Sequence, residues 1–393
     1  MNDTPHPALL PAGFYDLLPA EAEIEAQVTA QLIGVLAAHG YERVKPPLAE
    51  FEETLLSGAG SAMANDTFRT MDPISHRMIG VRADMTPQVA RIAATRLSHR
   101  PRPLRLSYAG QVLRVKGSQM RPERQIGQVG AELIGAALPA AADVEVIAVA
   151  GEALAVVGVP ELSVDITLPT LVPAIAAAYG IADERFASLR AALDRKDVAA
   201  VSSFPGEAGA LLAQLLAAAG PCKTARAALD RLDLPPKAQV ERDRLGAVMD
   251  GLMTAMPGLR VTVDPIENRG FEYHTGIGFT FFARTDPEHG PLGELGRGGR
   301  YEAGAAESPE PATGFTLYTN TILRTLPPPL PRRRLLVPLD ADRGHARTLR
   351  GEGWITVAAL IPAPDWHEEA RRLDCGYVLE GGTVQPLAPA VNP

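Results

Sequence analysis

LRLSYAGQVLRVKGSQMRPERQIGQVGAELIG, residues 104–135, reads as a β-hairpin with a long basic tip. Strand formers run to Leu113, a polar loop of Gly, Ser, Lys and Arg follows, and strand character resumes at Arg124. In the second arm Gln128, Gly130 and Glu132 alternate with Val129, Ala131 and Leu133. A strand's period of two sends the first set to one face and the second to the other. Together with Arg114 on the partner arm, the polar set has the groups to hold a small zwitterion. A carboxylate takes an ammonium or a ring N–H, an amide takes either sign, and a guanidinium takes a carboxylate. The same alternation also describes a solvated polar face on a half-buried sheet.

Working outward toward the N-terminus, residues 21–39 read as a helix, with Ile24, Val28, Leu32, Val35 and Leu36 on one stripe and Gly40 as its stop. YERVKPPLAE (residues 41–50) is extended, because Pro46 and Pro47 forbid helix there. Short strands are expected at 67–70 and 76–81. In VRADMTPQVARIAATRL, Thr86 is placed to cap a helix with Pro87 at its first position, so Arg82 and Asp84 lie just ahead of a helix N-terminus. Toward the C-terminus come a helix at 140–154, a strand at 161–168, and Ala/Leu-rich helices from about 170 to 255 that read as an insertion without chemistry of its own. ENRGFEYHTGIGFTFFAR presents a polar tip before a strand, GELGRGGRYE a Gly-rich turn at 296–299, and ATGFTLYTNTILRTL a helical stripe. The prolines and arginines of 327–334 form a linker, and 335–393 alternate short strands with two helices as a small α/β domain. The class is α+β: an antiparallel sheet flanked by helices, in a domain spanning 1–326.

A chain of 393 residues with 46% hydrophobic and 21% charged residues has the composition of a soluble globular protein. Its net charge of −8 argues against a nucleic-acid-wrapping surface. Cys222 and Cys375 lie far apart and make no metal-ligand spacing, which is consistent with reduced thiols. The opening residues lack the pattern of a signal peptide, and no apolar run approaches the ~18 residues of a membrane span. A cytoplasmic protein is expected. The sequence has no nucleophile elbow, no phosphate loop, no dinucleotide fingerprint and no paired histidines for a metal. No catalytic residue, cofactor or metal is assigned.

These segments, in order, resemble histidyl-tRNA synthetase, a class II aminoacyl-tRNA synthetase. PAGFYDLLP is similar to the family's N-terminal signature, and GYERVKPPLAE to motif 1, with Pro47 at the dimer-interface proline. VRADMT is similar to the R-P-E-G-T segment, which puts Asp84 and Thr86 at ammonium-binding positions. The hairpin resembles motif 2, with Arg114, Gln128 and Glu132 on pocket positions. RGFEYH is similar to the histidine-specific R-G-L-D-Y-Y segment, giving Arg269, Tyr273 and His274, and GGRYE resembles the G-G-R-Y-D turn. The resemblance implies a histidine site. Glu132 would take the imidazole N–H, Asp84, Thr86 and Gln128 the ammonium, and Arg114 with Arg269 the carboxylate; His274 departs from the family's Tyr.

The departures fall on ATP. Motif 3 of the synthetases ends G-F-A-x-G-x-E-R, whereas this chain has GFTLYTNT, with Tyr318, Asn320 and Thr321 replacing Gly, Glu and Arg. Lys116 stands where an acidic residue meets adenine and Ile126 where a ring stacks on it. The guanidinium's charge-assisted contact is lost, and so is stacking worth roughly 1–3 kcal/mol. The tail is shorter than an anticodon-binding domain, so tRNA is not expected as a partner. This pattern resembles the regulatory subunits of ATP phosphoribosyltransferase. The resemblance implies a catalytically silent chain in histidine biosynthesis that forms a hetero-octamer with a short-form catalytic subunit around a homodimeric core. It implies activation of that subunit and feedback inhibition by L-histidine, with loops 269–275 or 116–123 as moving parts. An active histidyl-tRNA synthetase and a stand-alone histidine sensor are the alternatives.

Overall fold

The structure, a computed structural model, describes residues 9–117, 122–268, 273–283, 293–304, 308–327 and 332–387. The chain divides into two compact units, Met1–Leu326 and Pro327–Pro393. In order, the first unit contains α1 (Pro19–Ala38), β1 (Glu42–Arg43), β2 (Ala49–Phe51), α2 (Glu52–Leu55), β3 (Phe68–Met71), β4 (Met78–Val81), α3 (Thr86–Thr95), β5 (Leu104–Leu113), β6 (Gln125–Ile134), α4 (Pro139–Val156) and β7 (Ser163–Thr167). The helical insertion follows: α5 (Leu171–Ala178), α6 (Asp183–Asp194), α7 (Val198–Ser202), α8 (Glu207–Ala217), a two-residue strand β8 (Gly220–Pro221), α9 (Cys222–Leu229) and α10 (Pro236–Ala255). The unit closes with β9 (Arg260–Asp264), β10 (Gly278–Phe282), β11 (Gly296–Ala303), β12 (Glu310–Tyr318) and α11 (Thr319–Leu323).

Among the described residues these strands make a nine-stranded sheet in the order β1-β5-β6-β12-β11-β10-β7-β9-β8. It is antiparallel except for the β1–β5 and β7–β9 pairs. A three-stranded sheet, β2-β4-β3, lies apart from it and is joined to the hairpin by a bridge between Thr67 and Arg114. The period of two in β6 decides which side is core. Val129, Ala131 and Leu133 pack into one large cluster with Val28, Leu32 and Leu36 of α1 and with Val146, Ile147, Ala150, Ala153 and Leu154 of α4. On the opposite face, Ile126 and Ile134 join Leu104, Leu106, Tyr108 and Val112 of β5 and Val89, Ala90 and Ala93 of α3. The sheet is therefore covered on both sides, and nine of the ten positions of β6 are buried. The polar face of β6 is not solvated: Gln128 and Glu132 are each 1% exposed.

Two stretches depart from the sequence reading. GRGGRYE is a strand, β11, rather than a turn, and β12 stays extended to Tyr318 before a single helical turn begins. The physical reason is cross-strand crowding. A Cβ on Gly298 would overlap the Gly314 carbonyl, and one on Gly296 would lie 2.5 Å from the Thr316 carbonyl. The glycines let β11 and β12 approach each other, and the turn reading mistook this requirement for flexibility. Thr86 is the first residue of α3 and makes no capping bond; its hydroxyl instead lies 3.2 Å from that of Tyr108.

The second unit contains β13 (Arg334–Val337), α12 (Arg343–Gly351), β14 (Ile355–Ala358), α13 (Trp366–Arg372), β15 (Tyr377–Glu380) and β16 (Thr383–Pro386), in a sheet ordered β14-β13-β15-β16. Alternate residues face opposite helices: Leu335 and Val337 pack with Ala346 and Leu349 of α12, and Leu336 packs with Ala370 of α13. Gly381 and Gly382 both have positive φ (56° and 78°) in the turn between β15 and β16. Two consecutive residues at positive φ match the twist of a tight hairpin.

A buried ion pair ties α4 to the sheet. Arg300 of β11 donates to Asp143 of α4 at 2.7 and 3.2 Å and to the Pro139 carbonyl at 2.7 Å, with side-chain exposures of 6% and 1%. Burial raises the Asp143 carboxyl above its usual range, and the guanidinium opposes that shift. Arg300→Ala leaves Asp143 buried without its cation and is expected to lower unfolding free energy by about 3–5 kcal/mol. Chemical denaturation checks this, and the double change Arg300→Met with Asp143→Leu should recover most of the loss.

Candidate functional site

Strand register gathers the polar residues. Gln128, Gly130 and Glu132 of β6 lie opposite Tyr318, Thr316 and Gly314 of β12. Thr316 and Gly314 in turn lie opposite Arg297 and Gly299 of β11. All of these positions share the face that α3 covers, between the apolar ends formed by Ile126 and Ile134. The polar centre is thus enclosed by the sheet's own hydrophobic rim.

Glu132 is the buried acid of this centre. One of its oxygens accepts from the Tyr108 hydroxyl at 3.2 Å and the other from the Tyr301 hydroxyl at 2.9 Å. Tyr108 is also 2.8 Å from the Thr316 hydroxyl, and a hydroxyl can both give and accept. Burial pushes the Glu132 pKa up to about 8. The bonds from Tyr301, Thr86 and Tyr108 lower it, and the nearby Asp84 charge raises it again. Burial therefore favours the protonated form of this carboxyl near neutral pH.

Asp84 is held differently. Its Oδ1 accepts the Thr86 N–H at 2.9 Å and its Oδ2 accepts from Gln128 Nε2 at 2.8 Å. Gln128 Oε1 accepts the Met85 N–H at 3.1 Å, which fixes the amide's orientation. Two donors, one from the first turn of α3, hold Asp84 in place beside the cleft. A fixed anion beside a neutral buried acid has the electrostatics to hold an ammonium at one point and a ring N–H at another.

Glycines create the room. A Cβ on Gly314 would collide with the Glu132 carboxylate, one on Gly130 with the Tyr108 hydroxyl, and one on Gly299 with the His274 ring. The resulting cleft has about 400 Å³ of empty space, which includes open solvent. Asp84, Thr86, Glu132, Tyr273 and His274 line it together with Arg297, Tyr301, Thr316 and Tyr318. The Tyr273 and His274 rings lie 4.2 Å apart, tilted by 35°, and Tyr273 meets Tyr301 edge-on at 6.5 Å.

Of the residues singled out from the sequence, Asp84, Thr86, Glu132, Tyr273 and His274 share this cleft, and Gln128 supports it through Asp84. Arg114 is not among the lining residues. Its Nε lies 3.4 Å from the Ala83 carbonyl, one residue from Asp84. Arg269 lies outside the described residues. Arg82 is committed to the Gln111, Pro46 and Pro47 carbonyls at 2.8, 3.1 and 3.4 Å and acts as a structural tie. Arg297 is the cation that sequence reasoning missed. It stands on the cleft wall, paired with Glu294 through two bonds of 2.5 and 2.6 Å. The signal was its place two residues before Gly299 and four before Tyr301, on one face of a strand that had been read as a turn.

Comparisons with known proteins agree with this architecture. The family model described as Histidyl-tRNA synthetase matches residues 13–322. The chain is 55% identical over 384 residues to an ATP phosphoribosyltransferase regulatory subunit from Rhodospirillum centenum, covering 98% of this chain and 97% of that protein. It is 56% identical over 380 residues to one from Paramagnetospirillum magneticum, covering 96% and 98%. A crystal structure described as an ATP phosphoribosyltransferase regulatory subunit/histidyl-tRNA synthetase from Bacillus halodurans superposes with a TM-score of 0.78 at 24% identity, over 94% of this chain and 97% of that one; at that identity the likeness speaks for the fold. The chain belongs to the ATP phosphoribosyltransferase regulatory subunit family, on a fold of the class II histidyl-tRNA synthetase type.

Proposed function

We propose that this chain is the non-catalytic regulatory subunit of an ATP phosphoribosyltransferase, in the first step of histidine biosynthesis in the cytoplasm. It activates a short-form catalytic subunit, which carries the chemistry, and makes that subunit sensitive to inhibition by L-histidine. The assembly is a hetero-octamer around a homodimeric core of this chain. The observation that carries the reading is the buried Glu132, bonded by two tyrosine hydroxyls, in a cleft that also presents an oriented Asp84. The names of the relatives, identical at half of all positions across nearly the whole chain, supply the pathway.

Histidine fits the two electrostatic poles. Its α-ammonium meets Asp84 and Thr86, and its imidazole meets Glu132, with His274 and Tyr273 closing over the ring. Arg297, which is paired with Glu294 on the cleft wall, and Arg114 and Arg269 are the cations proposed to meet the carboxylate. Regulation requires that histidine bind one arrangement of the complex more tightly than another, and whatever histidine does to substrate affinity, substrate does to histidine affinity. The segments around 269–275 and 116–123 are proposed to carry the change; residues 269–272 and 118–121 of them lie outside the described residues.

The protonation state of Glu132 gives the reading a pH signature. Below about pH 8 the empty site already holds the proton that the acid and the imidazole share in the complex. Above that value the free site has lost it, so binding must take up a proton and affinity falls, by as much as about tenfold per pH unit. Calorimetric titration with L-histidine at pH 7, 8 and 9, in buffers of different ionisation enthalpy, should show this fall with growing proton uptake. Glu132→Gln should weaken binding by about tenfold or more and remove Glu132's share of the proton uptake, leaving that of the ligand's own α-amino group. Absence of histidine binding to the native chain would contradict the proposal. Analytical ultracentrifugation of the chain alone should give about twice its 41.7 kDa mass, and a monomer at micromolar concentration would contradict the homodimeric core.

A further inference from the structure

The histidine reading leaves Tyr318, which also lines the cleft, without a role. On the site face of β12, Gly314, Thr316 and Tyr318 follow one another, opposite Glu132, Gly130 and Gln128 of β6. Same-face positions on a strand are about 7 Å apart, so Glu132 and Tyr318 mark the two ends of a row about 14 Å long. The ends differ in kind. Gly314 has no side chain, and the Glu132 carboxylate occupies that space. Tyr318 is a full ring, 3% exposed, packed in the apolar rim and lining the cleft with Arg297 and Tyr273.

This inference rests on the histidine reading above. With the imidazole at Glu132 and the ammonium at Asp84, which is bonded to Gln128, the α-carboxylate is directed along the row toward Tyr318 and Arg297. We infer that Tyr318 is a specificity-determining wall: it admits an amino acid with a free α-carboxylate and excludes derivatives enlarged through that carboxylate, such as esters and amides. The physical basis is close packing. A buried ring packed in an apolar cluster resists displacement, so added heavy atoms at that end of the cleft meet it.

The test separates size from charge. L-Histidinamide and L-histidine benzylamide both lack the carboxylate charge, and the methylamide, a secondary amide like the benzylamide, separates bulk from the loss of one N–H. Calorimetric or competition titrations of the full-length native chain should show the benzylamide binding at least about tenfold more weakly than histidinamide, with the methylamide in between. Tyr318→Ala should close that gap to within about threefold while still binding L-histidine, and Tyr318→Phe should keep it. Equal affinity of the native chain for the small and bulky amides would overturn the inference and leave the histidine reading standing. So would a gap that persists in a Tyr318→Ala chain that binds histidine. If the Ala variant does not fold, the amide series on the native chain decides alone: a stepwise loss with size supports the wall and a flat series removes it. A native chain that binds no histidine overturns the reading and the inference together.

Discussion

A carboxylic acid buried between two tyrosine hydroxyls, on a sheet covered from both sides, is the constraint on which this structure depends. Burying Glu132 is unfavourable in its charged form, and the fold answers by keeping it protonated and by supplying hydroxyls from β5 and β11. Those hydroxyls reach it because glycines at 130, 299 and 314 hold the strands' site face open. The glycines in turn require that β6, β11 and β12 pair closely and in one register. Polar network, glycine pattern and strand order are therefore one requirement expressed at three levels.

The hairpin was the most legible part of the sequence because its information is local. Each residue of β5 meets a residue of β6 across one turn, and the alternation of Gln128, Gly130 and Glu132 with apolar neighbours is written in consecutive positions. The stripe of α1 was legible for the same reason, since Val28, Leu32 and Leu36 lie on one helix face and enter one core. β11 and β12 were not legible. Glycines interrupt the alternation in both strands, and those glycines answer to side chains far away in sequence. Gly314 is shaped by Glu132, and Gly299 by His274. Arg297 and Tyr301 fell out of view with the strand that carries them. Thr86 illustrates the limit of local rules: it stands where a capping residue is expected, yet its hydroxyl serves Tyr108, which comes from another strand.

The arrangement suits recognition. Asp84 is fixed by two donors, Glu132 is held neutral by its surroundings, and Tyr318 occupies the far end of the row. An acid kept protonated until a ligand shares its proton gives a binding site whose affinity tracks the ligand's own hydrogen-bonding pattern, which is what discrimination among amino acids of similar size requires. On the regulatory reading, the chain contributes this discrimination and the partner contributes the reaction.

The measurement closest to the central claim is the turnover of a short-form ATP phosphoribosyltransferase catalytic subunit, assayed with and without this chain and with and without L-histidine. The account predicts that the native chain raises turnover and that histidine then reverses the gain. A Glu132→Gln chain should still raise turnover, with the histidine response displaced to concentrations about tenfold higher or more. A catalytic subunit indifferent to this chain, or a histidine response unchanged by Glu132→Gln, would contradict it.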